Sequence, residues 1–165
     1  MPAISIMMKP ASGLCNMRCD YCFYTDETLK REICSYGIMN IDTLEQILQK
    51  TLAFAEESCS ILFQGGEPTL AGLDFFKSVI EFEKKWNVNH VNIQNSIQTN
   101  GILIDDEWAK FLHDHNFLVG LSLDGTREVH DACRKYPNHH GTFDRVLHTI
   151  ELFNKYNIRI WHREL

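Results

Sequence analysis

The chain has 165 residues, of which 44% are hydrophobic and 23% charged, and this composition predicts one globular domain and excludes a largely disordered chain. Its net charge of −6 argues against nucleic-acid binding, and no apolar run approaches the roughly 18–20 residues that a membrane-spanning helix needs. The first residues lack the basic segment of a secretory signal, which predicts a cytoplasmic protein whose cysteines stay reduced or bind metal.

Short apolar runs alternate with helical patterns along the chain. In chain order the expected elements are a strand at 3–8, a long loop with three cysteines, a helix at 41–52, a strand at 59–64, a helix at 76–86, a strand at 90–98, a helix at 108–112, a strand at 117–123, a helix at 143–153 and a strand at 157–161. Because strands and helices alternate, we expect a parallel sheet with right-handed crossovers.

Polar turns that contain glycine follow the three middle strands: Gly65-Gly66, Thr99-Asn100-Gly101 and Asp124-Gly125. In parallel α/β folds the carboxyl ends of the strands meet at one edge of the sheet, and functional sites are built there. We therefore expect the turns and the cysteine-bearing loop to form one site.

Three of the six cysteines, Cys15, Cys19 and Cys22, lie within eight residues of one another. Structural zinc sites usually use four protein ligands, commonly as two C-x2-C pairs, and this sequence has no second pair. Three thiolates on a four-iron cluster would leave one iron open for a substrate or cofactor. The spacing favours an iron–sulfur centre, with a zinc or redox thiol cluster as the alternative.

The pattern C-x3-C-x2-C, with Tyr21 before the third cysteine and Phe23 after it, resembles the cluster motif of the radical S-adenosylmethionine (radical SAM) enzymes. The resemblance implies a [4Fe–4S] cluster held by Cys15, Cys19 and Cys22, with S-adenosylmethionine on the open iron. In that family an electron from the cluster cleaves the cofactor to methionine and a 5′-deoxyadenosyl radical.

The same resemblance implies four residues that contact the cofactor: Tyr21, Gly66, Ser122 and Arg134. The turn Gly-Gly-Glu-Pro would contact the amino group of S-adenosylmethionine, whereas its Glu67 is expected to order the turn. The patterns Ser-Leu-Asp-Gly and Asp-Gly-x4-His-Asp-x2-Arg supply the serine and the arginine that clamp the cofactor. Tyr21 would contact the adenine, and residues 98–101 are expected to line the same pocket.

Longer motifs are most similar to the anaerobic sulfatase-maturing enzymes: Lys-Pro-x4-Cys-Asn-x2-Cys-x-Tyr-Cys-Phe-Tyr, Phe-Gln-Gly-Gly-Glu-Pro-Thr-Leu-Ala-Gly, Gln-Thr-Asn-Gly and Val-Gly-Leu-Ser-Leu-Asp-Gly. Those enzymes oxidise a Cys or Ser of a sulfatase to formylglycine. The resemblance implies a sulfatase precursor or another peptide as substrate and an electron donor such as ferredoxin or flavodoxin. Related maturases that form thioether or carbon–carbon cross-links stay open, as does a non-catalytic metal-binding domain.

The implied fold is α/β, the N-terminal part of a (βα)6 partial TIM barrel with a cluster-binding loop after the first strand. Residues 1–165 are expected to be an incomplete radical SAM core domain, because longer family members add barrel strands and a Cys-rich C-terminal domain with auxiliary clusters. The catalytic base is expected beyond residue 165.

Overall fold

A computed structural model describes residues 3–161, in which strands and helices alternate. The strands are Ile4–Met8 (β1), Ser58–Phe63 (β2), Asn92–Thr99 (β3), Leu118–Leu121 (β4) and Arg159–Trp161 (β5). The α-helices are Phe23–Leu29 (α1), Ile41–Phe54 (α2), Leu73–Trp86 (α3), Asp106–Asp114 (α4), Arg127–Cys133 (α5) and Phe143–Lys155 (α6), and a 3₁₀ helix covers Pro68–Ala71. Residues 1–2 and 162–165 of the predicted domain lie outside the described residues.

All five strands belong to one parallel sheet in the order β1-β2-β3-β4-β5. Ile6 pairs with Ile61, and Ile61 pairs in turn with Asn95. Each crossover therefore joins neighbouring strands, as in a barrel, rather than reversing direction as in a doubly wound sheet. The predicted parallel α/β architecture is confirmed, and within residues 3–161 the sheet stays open between β1 and β5.

One face of the sheet is packed by helices. Alternate residues of β2, namely Cys59, Ile61 and Phe63, are completely buried there with side chains of α2, α3, α4 and α6. Phe63 lies 5.0 Å from Phe76 of α3, measured between ring centroids. Because side chains alternate along a strand, the partly exposed residues between the buried ones form the opposite, open face of the sheet.

The structure adds helices that the sequence patterns did not predict. Both α1 and α5 have seven residues, about two turns, which is too short to show a helical repeat of apolar residues. In α5 the buried residue is His130 rather than an apolar side chain. Among the described residues, no helix is long and apolar enough to cross a membrane.

Candidate functional site

The three clustered cysteines lie in the loop between β1 and α1, and Cys22 is the last residue before α1. All three thiols are free, with Cys15 exposed and Cys19 and Cys22 partly exposed. Desolvation raises the pKa of Cys15 to about 11, and the charges of Glu67, Cys19 and Cys22 add to this effect. Desolvation also raises the pKa of Cys19. Cys15 and Cys19 therefore ionise poorly unless a cation is bound.

The chemistry of the donor set, three free thiols in one loop, fits an iron–sulfur cluster. A [4Fe–4S] cluster takes each protein thiolate on a different iron, so its ligands stand apart instead of converging on one atom. Bound iron would supply the positive charge that stabilises the desolvated thiolates.

The turn after β2 packs directly against the cysteine-bearing loop. The backbone N–H of Glu67 donates to the carbonyl oxygen of Leu14 at 2.7 Å. Gly66 has φ = 55°, and a Cβ at this position would lie 2.1 Å from the same carbonyl oxygen. Only glycine therefore allows this approach of the two backbones.

Glu67 joins the turns after β2 and β3. Its side chain is 1% exposed and accepts hydrogen bonds from Thr69 N and Oγ1, from Thr99 Oγ1 and from Asn100 N. Burial raises the pKa of Glu67, whereas these donors oppose the rise. Through these contacts Glu67 orders the turns after β2 and β3.

Asn100 extends this connection to the cysteines. Its Nδ2 donates to Asn16 Oδ1 at 2.8 Å and to Cys15 Sγ at 3.6 Å. The backbone N–H of Met17 reaches the same sulfur at 3.4 Å. The sequence predicts that residues 98–101 line the pocket but does not indicate that Asn100 contacts a cysteine.

Tyr21, Asp124 and Arg134 form a second cluster beside the loop. Tyr21 Oη and Arg134 Nε both donate to Asp124 Oδ2, the latter at 2.9 Å. The guanidinium also lies over the Tyr21 ring, 5.3 Å from its centroid. Burial alone would raise the pKa of Asp124, but the hydrogen bonds from Arg134 and Tyr21 outweigh it and hold that pKa below its ordinary value.

The ion pair of Arg134 with Asp124 is shielded, since the two side chains are only 15% and 14% exposed. The side-chain hydrogen bond of Arg134 is donated by Nε, and among the described residues no hydrogen bond of its two terminal amino groups is found. Asp124 was not among the predicted site residues.

Ser122 lies just beyond β4 on the open face of the sheet. Its hydroxyl accepts from Gln98 Nε2 at 3.1 Å, and its backbone N–H donates to the carbonyl oxygen of Thr99 at 3.0 Å. A Cβ at Gly120 would lie 2.1 Å from Gln98 Oε1, so glycine makes room for the Gln98 side chain.

Three of the predicted site residues thus meet at the cysteine-bearing loop: Tyr21 and Arg134 touch each other, and Gly66 touches the loop backbone. Ser122 contacts the end of β3 through Gln98 and Thr99, and no contact of Ser122 with the loop is found among the described residues. Backbone hydrogen bonds from Arg18 to Lys135 and from Asp20 to Cys133 close the loop against the end of α5.

Known proteins resemble this chain over nearly its whole length. A sequence model of the Radical SAM superfamily matches residues 10–163. A cysteine-type anaerobic sulfatase-maturating enzyme of Clostridium novyi is 48% identical over 158 residues, which cover 96% of this chain and 42% of the relative. A serine-type anaerobic sulfatase-maturating enzyme of Klebsiella aerogenes is 34% identical over 157 residues, which cover 93% of this chain and 37% of the relative.

Solved structures extend the likeness to three dimensions. The structure of anSMEcpe with bound AdoMet superposes with a TM-score of 0.91 at 48% identity, covering 96% of this chain and 42% of that chain. The structure of anSMEcpe with bound AdoMet and a Kp18Cys peptide superposes with a TM-score of 0.90 at 47% identity, with the same coverage. This chain spans less than half the length of these relatives, and the predicted partial-barrel fold is confirmed.

Proposed function

The chain belongs to the radical SAM superfamily, whose members use a [4Fe–4S] cluster and S-adenosylmethionine, and from this we propose that it is the cluster- and cofactor-binding core of a peptide-modifying oxidoreductase. The modification we propose is oxidation of a sulfatase cysteine to formylglycine, as the name of the cysteine-type relatives suggests. Support comes from the higher identity to the cysteine-type relative, 48%, than to the serine-type relative, 34%.

One observation supports the proposal most strongly. The loop with the three thiols is held by each of the three turns that follow it in the sheet, through Gly66, Asn100 and Asp124. In the proposal Cys15, Cys19 and Cys22 each bind one iron. Desolvation disfavours the free thiolates of Cys15 and Cys19, so a bound cationic centre would stabilise them.

The cluster and S-adenosylmethionine, when bound, supply the radical that removes a hydrogen atom from the substrate. The residues of this chain bind and orient the cofactor. The terminal amino groups of Arg134 would grip its carboxylate while Asp124 fixes the guanidinium plane through Nε. In this proposal Gly66 meets the amino group with its backbone, Ser122 bonds a ribose or carboxylate oxygen, and Tyr21 contacts the adenine.

The substrate peptide would approach along the open face of the sheet, where Ser122 and Gln98 lie side by side. We also propose that residues 1–165 form an incomplete radical SAM core domain, that a donor such as ferredoxin or flavodoxin supplies the electron, and that the reaction takes place in the cytoplasm.

Anaerobic reconstitution with iron and sulfide tests the proposal. We expect a brown, oxygen-labile protein with acid-labile sulfide that releases 5′-deoxyadenosine from S-adenosylmethionine when dithionite is added. The Cys19→Ala variant is the control and should give neither. A colourless protein with one zinc and no acid-labile sulfide would contradict the proposal and indicate the non-catalytic metal-binding domain.

The substrate is tested separately with sulfatase-motif peptides that carry Cys, Ser or Ala at the target position. An aldehyde-specific reagent detects formylglycine after incubation with a reduced, cofactor-loaded protein that joins residues 1–165 to the segment in which the catalytic base is expected. The proposal predicts more aldehyde from the Cys peptide than from the Ser peptide and none from the Ala peptide. Equal labelling of all three would refute the assignment of the substrate residue.

A further inference from the structure

His130 lies completely buried behind the ion pair of Asp124 and Arg134. Its Nδ1 accepts a hydrogen bond from the backbone N–H of Asp124 at 3.3 Å. Its Nε2 lies 2.9 Å from Thr142 Oγ1. Because Nδ1 accepts, the proton of the neutral ring is on Nε2, and the ring donates to Thr142.

Thr142 continues this connection to Arg134. Its hydroxyl is buried and donates to the carbonyl oxygen of Arg134 at 3.1 Å, while it accepts from His130. The backbone N–H of Arg134 donates in turn to the carbonyl oxygen of His130 at 2.6 Å. The chain of donors has one consistent direction, from Asp124 N through the imidazole and the hydroxyl to Arg134 O.

We propose that His130 is a positioning residue for S-adenosylmethionine, which sets the place of the Asp124 carboxylate and the Arg134 guanidinium by holding the backbone of both. This inference rests on the proposed function, in which Arg134 binds the cofactor. An apolar side chain of similar size would fill the same space beside Phe143, whose ring centroid lies 5.6 Å away. Unlike an apolar side chain, histidine also forms two directed hydrogen bonds.

The electrostatic surroundings keep the ring in the required form. Burial lowers the pKa of His130, and the positive charge of Arg134 lowers it further, while the charges of Asp124 and Asp131 oppose this. The ring therefore stays neutral, and Nδ1 keeps the lone pair that accepts from Asp124.

Two conservative variants separate the two halves of the connection. In His130→Asn the side-chain oxygen can replace Nδ1 and keep the bond from Asp124, whereas in His130→Gln the amide nitrogen can replace Nε2 and keep the bond to Thr142. Calorimetric titration of the cluster-loaded protein with S-adenosylmethionine should give a Kd about 3- to 10-fold higher for each, as the loss of one neutral hydrogen bond implies.

The role of the hydroxyl is tested at Thr142. Thr142→Val should weaken S-adenosylmethionine binding by a similar factor, and Thr142→Ser, which keeps the hydroxyl, should restore the wild-type Kd. Iron content and the spectrum of the cluster should not change in any of these variants, because within residues 3–161 the side chains of His130 and Thr142 have their hydrogen bonds with Asp124, Arg134 and each other and none with a cysteine.

A double variant shows whether His130 acts through Arg134. In the Arg134→Ala background, His130→Asn should have little further effect on the Kd, because coupled residues give non-additive losses. Leu48→Ala is the control for lost stability: this buried residue of α2 should lower the unfolding midpoint without changing the Kd.

The outcomes distinguish this inference from the proposed function. Equal Kd values for the wild type and both His130 variants, or a full additional loss in the Arg134→Ala background, would overturn the positioning role alone. A wild-type protein that takes up the cluster but does not bind S-adenosylmethionine would overturn the proposed function and this inference with it.

Discussion

In the proposed function the guanidinium of Arg134 has two tasks. Its Nε donates to Asp124, and its terminal amino groups bind the carboxylate of the cofactor. Lysine cannot reproduce this, because a single ammonium group cannot both pair with Asp124 and present a planar fork to a carboxylate. The structure therefore gives a physical reason to expect that lysine cannot fully replace Arg134.

We expect Arg134→Ala to weaken S-adenosylmethionine binding by about 2–4 kcal/mol, or about 30- to 1000-fold, because a partner of a carboxylate is lost from a shielded site. Arg134→Lys should recover only part of this loss. Ser122→Ala should cost about 1 kcal/mol, since it removes one neutral hydrogen bond. Calorimetric titration measures all three, and a wild-type Kd in Arg134→Ala would exclude the assigned role.

The cysteines differ in surroundings as well as in spacing. Single replacement of Cys15, Cys19 or Cys22 by Ala should abolish the four-iron cluster, because each leaves two ligands in the loop. Cys59 is completely buried in β2, and Cys59→Ala should keep its iron and lose only packing energy. Iron and sulfide analysis after reconstitution measures the cluster content of each variant. If the Cys59 variant lost its iron while the Cys19 variant kept it, the assignment of the cluster ligands would be wrong.

Asn100 provides a test of the hydrogen bonds to sulfur. An N–H donor stabilises the additional negative charge of a reduced cluster, so Asn100→Leu should lower the reduction potential. The loss of the 2.8 Å bond to Asn16 could also move the loop, and Asn16→Leu is therefore the control. A potential that falls equally in both variants would assign the effect to the loop instead of to the bond with Cys15.

At the scale of elements, the contact between the Gly66 turn and the loop limits which residues the turn accepts. Gly66→Ala places a methyl group against the Leu14 carbonyl and forces a non-glycine residue into left-handed backbone, which costs about 1 kcal/mol by itself. We expect lower stability towards urea and reduced iron uptake.

Gly37 supplies the matched control for that substitution. It has φ = 75°, and a Cβ there would meet nothing within 4 Å. Gly37→Ala should lower the free energy of unfolding in urea by the cost of the left-handed backbone alone, and its iron uptake should be normal. If both variants take up iron normally, the close approach at Gly66 is not needed to build the site.

The five strands and four longer helices could be predicted from sequence because each has its own apolar pattern. The predicted site residues came from motifs that lie within short segments. The partnership of Tyr21 with Asp124 could not be predicted in this way, because 103 residues separate them and neither local pattern refers to the other. The same holds for His130, whose helix has no apolar stripe.

Across the whole molecule, a second buried carboxylate predicts how stability depends on pH. Glu83 of α3 is 7% exposed, and Asn95 Nδ2 donates to both of its oxygens, while Asn95 Oδ1 is buried without a partner. Burial raises the pKa of Glu83 to about 7. The folded protein therefore keeps a proton that the unfolded chain releases above its ordinary carboxyl pKa.

The contribution of Glu83 to the free energy of unfolding should consequently fall by about 3 kcal/mol as the pH rises from about 4.5 to 7. Above that range it should stay level. Glu83→Gln should remove this dependence and be more stable than the wild type at pH 8, because its amide can donate to Asn95 Oδ1. Urea denaturation of the metal-free protein at pH 5 and pH 8 measures the difference.

Glu81→Gln is the control for that experiment, as Glu81 is an exposed carboxylate on the same helix. It should change the unfolding midpoint little at either pH. If the stabilities of the wild type and of Glu83→Gln changed in parallel between pH 5 and pH 8, Glu83 would not be the source of the pH dependence.

The consecutive strand order also dictates when the site can be completed during synthesis on the ribosome. The cysteine-bearing loop emerges first, and its contacts are added one unit at a time as the turns after β2, β3 and β4 follow. Its last backbone anchors, Cys133 and Lys135, come more than a hundred residues after the three cysteines. In the proposed function cluster insertion therefore comes late, and until then the three thiols of the loop stay open to oxidation.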